Sequence, residues 1–167
     1  ETGRQQATQL ASLLAGGVDA IYSSDTTRAR ETAEIIAAQL GRTVATDERL
    51  REVNFGEWEG LTRQEIDAAH AGAFTRWEAC ERPLPAGVET DEDMAKRVID
   101  ALQEIAARHA AGRVLVVTSG GPIRAAEAHL RGIEQALARR KLQTVANCAL
   151  VELVIRDGRF CGPRTPT

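Results

Sequence analysis

The chain has 167 residues, of which 43% are hydrophobic and 27% are charged, and its formal net charge at pH 7 is −3. This length and composition are typical of one globular domain with a substantial core. The acidic balance and the lack of a lysine or arginine cluster exclude a nucleic-acid-binding surface. No apolar run approaches the length of a membrane span and no signal-peptide pattern is present, so we expect no membrane partner.

The three cysteines are widely spaced and include no Cys-x-x-Cys pair. This pattern argues against a disulfide framework or a zinc site and favours free thiols in a reducing compartment. We therefore expect a cytoplasmic protein, and the alanine- and arginine-rich composition favours a bacterial source.

The first 46 residues predict two helices and two strands. Thr2-x-x-Gln5 is a capping-box pattern, and an apolar stripe follows at helical spacing until Gly16-Gly17 ends it. Val18 to Tyr22 form a short strand candidate, and the helix after it ends at Gly41. A further strand is expected at 43–46.

The middle of the chain alternates between irregular and helical sequence. Residues 47–60 show neither a helical nor a strand period, and Thr62-x-x-Glu65 is a capping box that starts a short helix. Prolines and a glycine mark a loop over 83–87. The strongest helix prediction covers 91–110, where apolar residues recur at near-helical spacing and Gly112 follows the end.

The last third begins with an apolar run at 114–118, which predicts a strand buried on both faces as in a parallel sheet. Gly120-Gly121 allow a tight turn, and Pro122 is placed at the first position of a helix that extends to about residue 131. Further helical sequence covers 134–140, and Ala149 to Val154 predict the last strand. Strands alternating with helices predict a three-layer α/β/α domain with a mostly parallel central sheet.

Two of the predicted strands lead into a helix through capping residues or glycines. Such a junction leaves backbone N–H groups unpaired at a helix N-terminus, where the helix dipole favours an anion. The first junction adds Arg28, whose planar guanidinium suits phosphate oxygens. The carboxyl ends of parallel strands lie at the same edge of a sheet, so both junctions should meet at that edge. We predict phosphate binding by Ser24, Arg28 and Gly120, although each junction alone also fits an ordinary strand-to-helix turn.

A third segment, Leu50 to Gly60, holds two aromatic residues and three glutamates between glycines. By itself it fits a loop pinned by its aromatic side chains. Together with the other motifs it resembles the histidine phosphatase superfamily, of the phosphoglycerate mutase-like fold, and most closely the short phosphatase branch near α-ribazole phosphatase. The resemblance covers nearly the whole chain as a single domain, 1–167, in the family's order. The other matching pieces are Thr2 to Ala7, Ser23 to Ala33, 114–121 and Asn147 to Ala149.

The resemblance implies the chemistry of a phosphomonoester hydrolase that acts on a small phosphorylated metabolite. In the family, a histidine of an Arg-His-Gly motif attacks phosphorus and becomes a phosphohistidine. Arg28 corresponds to an arginine of the phosphate pocket, and Glu52 corresponds to the acid that protonates the leaving oxygen. This scheme uses no metal and no cofactor. The expected ligand is a small phosphorylated substrate or inorganic phosphate, and a homodimer is left open.

The sequence departs from the family's pattern at two places. The Arg-His-Gly motif is absent, and we expect it upstream of residue 1 together with the first, central strand. The three histidines, His70, His109 and His129, match no catalytic position and are interpreted as surface or helix-packing residues. The second departure is Ser119, which stands where the family has a second catalytic histidine before the glycine. Serine keeps a hydrogen-bond donor but loses the positive charge.

These departures keep other hypotheses open. A phosphate-binding pseudoenzyme would retain the pocket without turnover. A phosphoglycerate mutase is less favoured, because only about thirty residues between Gly60 and the helix at 91 are available for a lid. That region, with Trp77, is expected to set substrate preference. An acyl-transfer nucleophile at Ser119 is disfavoured, because its Gly-x-Ser-x-Gly elbow would need a glycine where Val117 stands.

Overall fold

Short apolar segments between amphipathic helices produce a layered α/β structure. The computed structural model describes residues 2–81 and 87–161. The helices are α1 (Thr2–Leu13), α2 (Thr27–Leu40), α3 (Arg63–Ala69), α4 (Ala73–Glu78), α5 (Asp91–Arg108), α6 (Gly120–Leu130) and α7 (Ala138–Lys141). The strands are β1 (Ala20–Ser23), β2 (Val44–Thr46), β3 (Val114–Val117), β4 (Val154–Arg156) and β5 (Arg159–Cys161). Short 3₁₀ turns lie at Glu48–Leu50, Gly56–Trp58 and Gln135–Leu137.

β1, β2 and β3 form a parallel sheet in the order β2-β1-β3, and β4 pairs with β5 in a separate antiparallel ribbon. Ser23 of β1 is paired with the last residue of β2 and the last residue of β3. The three parallel strands therefore end at the same level. This edge of the sheet is where the chain passes from β1 into α2 and from β3 into α6.

Helices cover both faces of the sheet. On one face, Ile21 and Leu115 pack with the buried residues of α1 and α2. On the other face, Tyr22 and Val116 pack against Ala101 and Ile105 of α5. The predicted three-layer α/β/α arrangement with a parallel sheet is confirmed.

A third cluster lies beside the sheet and involves α3, α4, α5 and α6. It is built on the two tryptophans, Trp58 and Trp77, which are 2% and 9% exposed. Val53, Val98 and Ala125 connect it to the irregular segment before α3, to α5 and to α6. The cluster therefore holds the 50–60 segment against α5 and α6.

Three local predictions need correction. In β3 only Leu115 is buried and its three neighbours are half-buried, because β3 is an edge strand of the described sheet. α6 begins at Gly120, so Pro122 occupies its third position rather than its first. The strand expected at 149–154 begins only at Val154, and residues 147–148 form a turn.

Residues 149–153 form no strand, and the reason is the lack of a neighbouring strand among the described residues. Leu150 and Val151 are 55% and 38% exposed, and no described strand pairs with them. A strand needs a hydrogen-bonded neighbour, which β-branched sequence alone does not supply. The resemblance of Asn147 to Ala149 to a core strand is therefore wrong for this structure. Of the predicted 83–87 loop, residues 83–86 lie outside the described residues.

Among the described residues, no helix is long and apolar enough to cross a membrane.

Candidate active site

The two strand-to-helix junctions lie side by side at the carboxyl edge of the sheet. Ser23 is the register partner of Val117, and the backbone N–H of Ser24 donates to the Val117 carbonyl at 3.0 Å. Each strand then runs directly into its helix, because α2 starts four residues after β1 and α6 starts three residues after β3. The predicted meeting of the two junctions therefore agrees with the geometry.

Arg28 and Ser119 connect the two junctions. Nη2 of Arg28 donates to Oγ of Ser119 at 3.2 Å. Arg28 is exposed in the first turn of α2, and Ser119 is the N-cap residue of α6, where its side chain makes no capping hydrogen bond. A guanidinium and a hydroxyl from distant parts of the sequence thus converge at one place, and both can donate to an anion.

Ser24 has a different environment from Arg28. It is fully buried, and its Oγ lies 3.0 Å from Oγ1 of Thr26. The hydroxyl of Ser23 donates to the Ser24 carbonyl at 2.7 Å. These bonds fix the turn that carries Arg28, and direct contact between Ser24 and a phosphate remains a prediction.

The carboxylate of Glu52 occupies the N-terminus of α6. Its Oε2 accepts from the backbone N–H of Gly121 at 3.0 Å, and its Oε1 accepts from Val53 N–H at 2.9 Å. The helix dipole favours a negative group at this place. The N–H of Gly121 is bonded to Glu52, and Pro122 has no N–H. In this first turn, the N–H of Gly120 is therefore left without a partner among the described residues. The second junction is therefore not an empty anion cradle, as the sequence suggested, but already holds an acid.

Gly121 is required by the position of Glu52. A Cβ atom built on Gly121 would lie 1.9 Å from Oε1 of Glu52 and 2.9 Å from its carboxyl carbon. Gly120, in contrast, has open space around it. The second glycine of the turn thus makes room for the acid, which explains why this particular position lacks a side chain.

The segment around Glu52 is tied to both junctions. Nε of Arg51 donates to Oδ1 of Asp25 at 2.6 Å, and this guanidinium holds the pKa of the Asp25 carboxyl below its ordinary value. Oγ1 of Thr118 donates to the Leu50 carbonyl at 2.5 Å. The two residues before Glu52 thus link the acid segment to the turn after β1 and to the end of β3.

Arg97 and Glu89 lie close to this segment, and neither was predicted from the sequence as part of the site. Arg97 bonds the backbone carbonyls of Arg49, Arg51 and Glu52 and forms an ion pair with Glu89. A signal was present, because Arg97 falls on the buried stripe of α5, three residues after Met94. A charged residue on an apolar helix face needs a buried partner, and that expectation points to this cluster.

One further arginine, Arg124, lies near Glu52, and another, Arg139, lies near Arg124. Burial lowers the pKa of Arg124 on α6, and the nearby charge of Arg139 lowers it further, while Glu52 and Asp91 act in the opposite direction. Nη2 of Arg139 donates to Oδ1 of Asp91 at 2.6 Å, and its guanidinium carbon lies 3.5 Å from the centroid of a Trp77 ring. These residues form the charged border between the acid and the tryptophan cluster.

The three histidines lie elsewhere. The ring of His70 lies beside Trp58, Nε2 of His109 is 3.1 Å from the Tyr22 hydroxyl, and the ring of His129 contacts Phe160 edge-on at 4.8 Å. These contacts are at helix ends, and the interpretation of all three as surface or packing residues remains a prediction. Within residues 2–81 and 87–161, no group of three or more His, Cys, Asp or Glu side chains could hold a metal.

Comparisons with known proteins agree with this arrangement. Residues 1–162 match the family described as the histidine phosphatase superfamily (branch 1). Phosphoglycerate mutase-like protein 4 of Arabidopsis thaliana is 34% identical over 95% of this chain and 69% of its own length. Glucosyl-3-phosphoglycerate phosphatase of Mycolicibacterium vanbaalenii is 38% identical over 80% of the chain, and the match spans 63% of that relative.

The fold comparison gives the same result. The solved structure of Bacillus stearothermophilus YhfR superimposes with a TM-score of 0.89 at 32% sequence identity. The match covers 96% of this chain and 80% of YhfR. A likeness of this extent shows that the two chains share one fold over nearly the whole of this chain.

Proposed function

Because the chain belongs to the histidine phosphatase superfamily, we propose that it hydrolyses phosphomonoesters of small metabolites through a phosphohistidine intermediate. One observation carries the proposal. Arg28 donates to Ser119, and the carboxyl of Glu52 is bonded to the backbone two residues further along the same turn. Cationic donor, hydroxyl and acid come from three distant segments, and phosphoryl transfer uses all three kinds of group.

The proposed reaction has two balanced steps. A neutral imidazole nitrogen attacks phosphorus, the bond between phosphorus and the ester oxygen breaks, and Glu52 gives its proton to the departing alcohol. Water then attacks the phosphohistidine, the nitrogen–phosphorus bond breaks, and Glu52 recovers a proton from that water. The nucleophile in this scheme is the histidine of an Arg-His-Gly motif, which we expect upstream of residue 1.

Arg28, Ser119 and the free N–H of Gly120 are the proposed phosphate ligands. Arg28 supplies a charged fork of donors to the equatorial oxygens. Ser119 supplies an uncharged donor, which stabilises the transferring group less than a charged imidazole would. We therefore expect slower turnover than with a histidine at this position.

The relatives support the substrate class. Glucosyl-3-phosphoglycerate phosphatase, the 38% identical relative, is named for a small phosphorylated substrate, and we propose a ligand of this general kind. The tryptophan cluster includes Val53, the residue next to the acid, so we propose that this cluster and the region between Gly60 and the helix at 91 set substrate preference. We also propose a cytoplasmic, bacterial protein, which the alanine- and arginine-rich composition and the lack of a Cys-x-x-Cys pair support. A homodimer remains a prediction that sedimentation can test.

A second candidate is a phosphate-binding protein without turnover. Ser119 favours it, because the position expected to hold a charged catalytic donor holds a neutral one. In this case the pocket would bind inorganic phosphate and release no product.

Two measurements test the proposal. The gene sequence upstream of residue 1 should encode an Arg-His-Gly motif after an apolar strand, and its absence would overturn hydrolysis. The full gene product should release phosphate from p-nitrophenyl phosphate. Phosphate binding by calorimetry without any turnover would instead favour the phosphate-binding protein.

A further inference from the structure

We propose that Arg97 is the positioning residue for the acid, because it fixes the backbone of Glu52 against α5 and thereby places the carboxyl beside α6. The inference rests on the proposed function, since the position of Glu52 matters for turnover only if this carboxyl protonates the leaving group. It concerns a residue on another helix, whose side chain acts through the main chain of the acid.

All five N–H groups of the Arg97 guanidinium are used. Nη1 donates to the carbonyls of Arg49 and Arg51 at 2.7 and 2.8 Å. Nη2 donates to the Glu52 carbonyl at 3.0 Å and to Oε2 of Glu89 at 2.7 Å, and Nε donates to Oε1 of Glu89 at 2.6 Å. One planar group therefore holds three carbonyls and a carboxylate at once, which is the full donor capacity of an arginine.

Glu89 extends this clamp past the acid. Its Oε2 accepts from the backbone N–H of Asn54 at 2.9 Å, and its own N–H donates to the Asn54 carbonyl at 2.8 Å. The Arg97 and Glu89 side chains are only 22% and 16% exposed. Arg97 and Glu89 together hold residues on both sides of Glu52, in surroundings where water competes weakly for the hydrogen bonds.

The backbone of Glu52 needs such support because no sheet or helix supplies it. Glu52 lies between the 3₁₀ turns Glu48–Leu50 and Gly56–Trp58, outside every described strand. Its carboxyl meets α6 through a single amide of that helix, at Gly121. A displacement of about 1 Å in a catalytic group can lower a rate by about 10², so the contacts that fix this backbone are expected to control the acid.

A matched control is present on the same segment. Arg49 also links this segment to α5, since its Nη2 lies 2.7 Å from a carboxylate oxygen of Asp47 and 2.7 Å from one of Glu104. Among the described residues, the Arg49 side chain forms no hydrogen bond or ion pair with Glu52. Arg49→Met thus removes a half-buried ion pair between this segment and α5. Arg97 still binds the three backbone carbonyls of the segment in this variant.

The experiment compares substrates with different leaving groups in the full gene product. An alkyl ester such as glycerol 3-phosphate needs a proton on the departing oxygen, whereas p-nitrophenyl phosphate releases p-nitrophenolate, a stabilised anion that can depart without a proton. We expect Arg97→Met to lower kcat/KM, which covers only the steps up to departure of the leaving group, about 10²-fold on the alkyl ester and less than about tenfold on the aryl ester. Arg49→Met should change both by the same small factor, and Arg97→Lys should recover part of the loss only on the alkyl ester.

Equal losses on both substrates in Arg97→Met would overturn the inference, because a merely structural role lowers all turnover alike. If the unmodified protein releases phosphate from neither substrate, the proposed function fails instead. The positioning is then decided by amide hydrogen exchange. The N–H groups of Gly121 and Val53 donate to the Glu52 carboxyl. The inference is supported if these two amides exchange faster in Arg97→Met than in Arg49→Met while exchange in β1 is unchanged. Unchanged exchange at both amides overturns it.

Discussion

The two strand-to-helix junctions look alike in sequence and differ in charge. Thr26 and Ser119 are both extended N-cap residues whose side chains make no capping hydrogen bond. At α6, however, the helix N-terminus is bonded to the carboxylate of Glu52, while the turn before α2 holds buried serine hydroxyls and carries Arg28. The difference is made by a distant segment, which delivers a negative group to one junction only.

This difference divides the proposed chemistry between the two junctions. The first supplies positive charge to the phosphate, and the second orients the acid for the leaving group. Changes at the first should therefore affect all phosphate esters, and changes at the second should depend on the leaving group.

The largest effect is expected at Arg28. Arg28→Ala removes the charged donor from the first junction, and we expect turnover of every phosphate ester to fall on the order of 10³-fold. Arg30→Ala is the matched control, because Arg30 is an exposed arginine two residues further along α2, where its Nε lies 3.5 Å from Oε1 of Glu34. Steady-state kinetics check this result. Turnover of Arg28→Ala within tenfold of the unmodified protein would remove Arg28 from the phosphate site.

Gly121→Ala should have the next largest effect, and only through the acid. The new methyl group would occupy the place of Oε1 of Glu52, so we expect a loss of about 10² on alkyl esters. A double-mutant cycle with Glu52→Gln measures the coupling. We expect Gly121→Ala to lower the rate little further once Glu52→Gln is present. If the two losses multiply instead, Gly121 acts in another way than through Glu52.

Ser119→His adds positive charge between the junctions. A charge-assisted hydrogen bond to the transferring group should raise kcat about tenfold, whereas Ser119→Ala should lower it. Burst and steady-state measurements on p-nitrophenyl phosphate distinguish the two variants. Unchanged or lost activity in Ser119→His would mean that the pocket has reorganised around serine.

The smallest effect is expected where Asp25 and Arg51 link the first junction to the acid segment. The Arg51 side chain is exposed and the Asp25 side chain is partly exposed, so solvent screens the pair and Asp25→Asn should change the rate less than about twofold at pH 7. The lowered pKa of Asp25 means that this link persists through neutral pH and is lost only as the pH falls through that lowered pKa. The effect of Asp25→Asn should therefore be the same from pH 5 to pH 8, and an effect that changes within this range would contradict this assignment.

Local patterns predicted the regular elements well. The capping box at Thr62 and Glu65 is present with both reciprocal hydrogen bonds, and α5 closely follows its apolar spacing. These features depend on residues three or four apart, which a sequence displays directly. The strand expected at 149–154 was wrong because strand formation depends on a neighbour elsewhere in the chain.

The site could be predicted only in part. Arg28 follows from junction chemistry, whereas Ser119 and Glu52 were reached through family resemblance. The bonds of Arg28 to Ser119 and of Glu52 to Gly121 came from the structure alone. Arg97 was missed because a periodicity count treats a helix stripe as apolar and passes over one charged residue on it. Hydrogen bonds between a side chain and a distant backbone leave little trace in sequence.

The pairing of β1 with β3 has a consequence for folding. It joins residues about 90 positions apart, so the strands meet only after a large chain loop has closed. Helices such as α5 form from local contacts and can precede this closure. In refolding from denaturant, far-ultraviolet circular dichroism should therefore recover before phosphate binding does, and the last kinetic phase should be the one that brings Arg28 to Ser119.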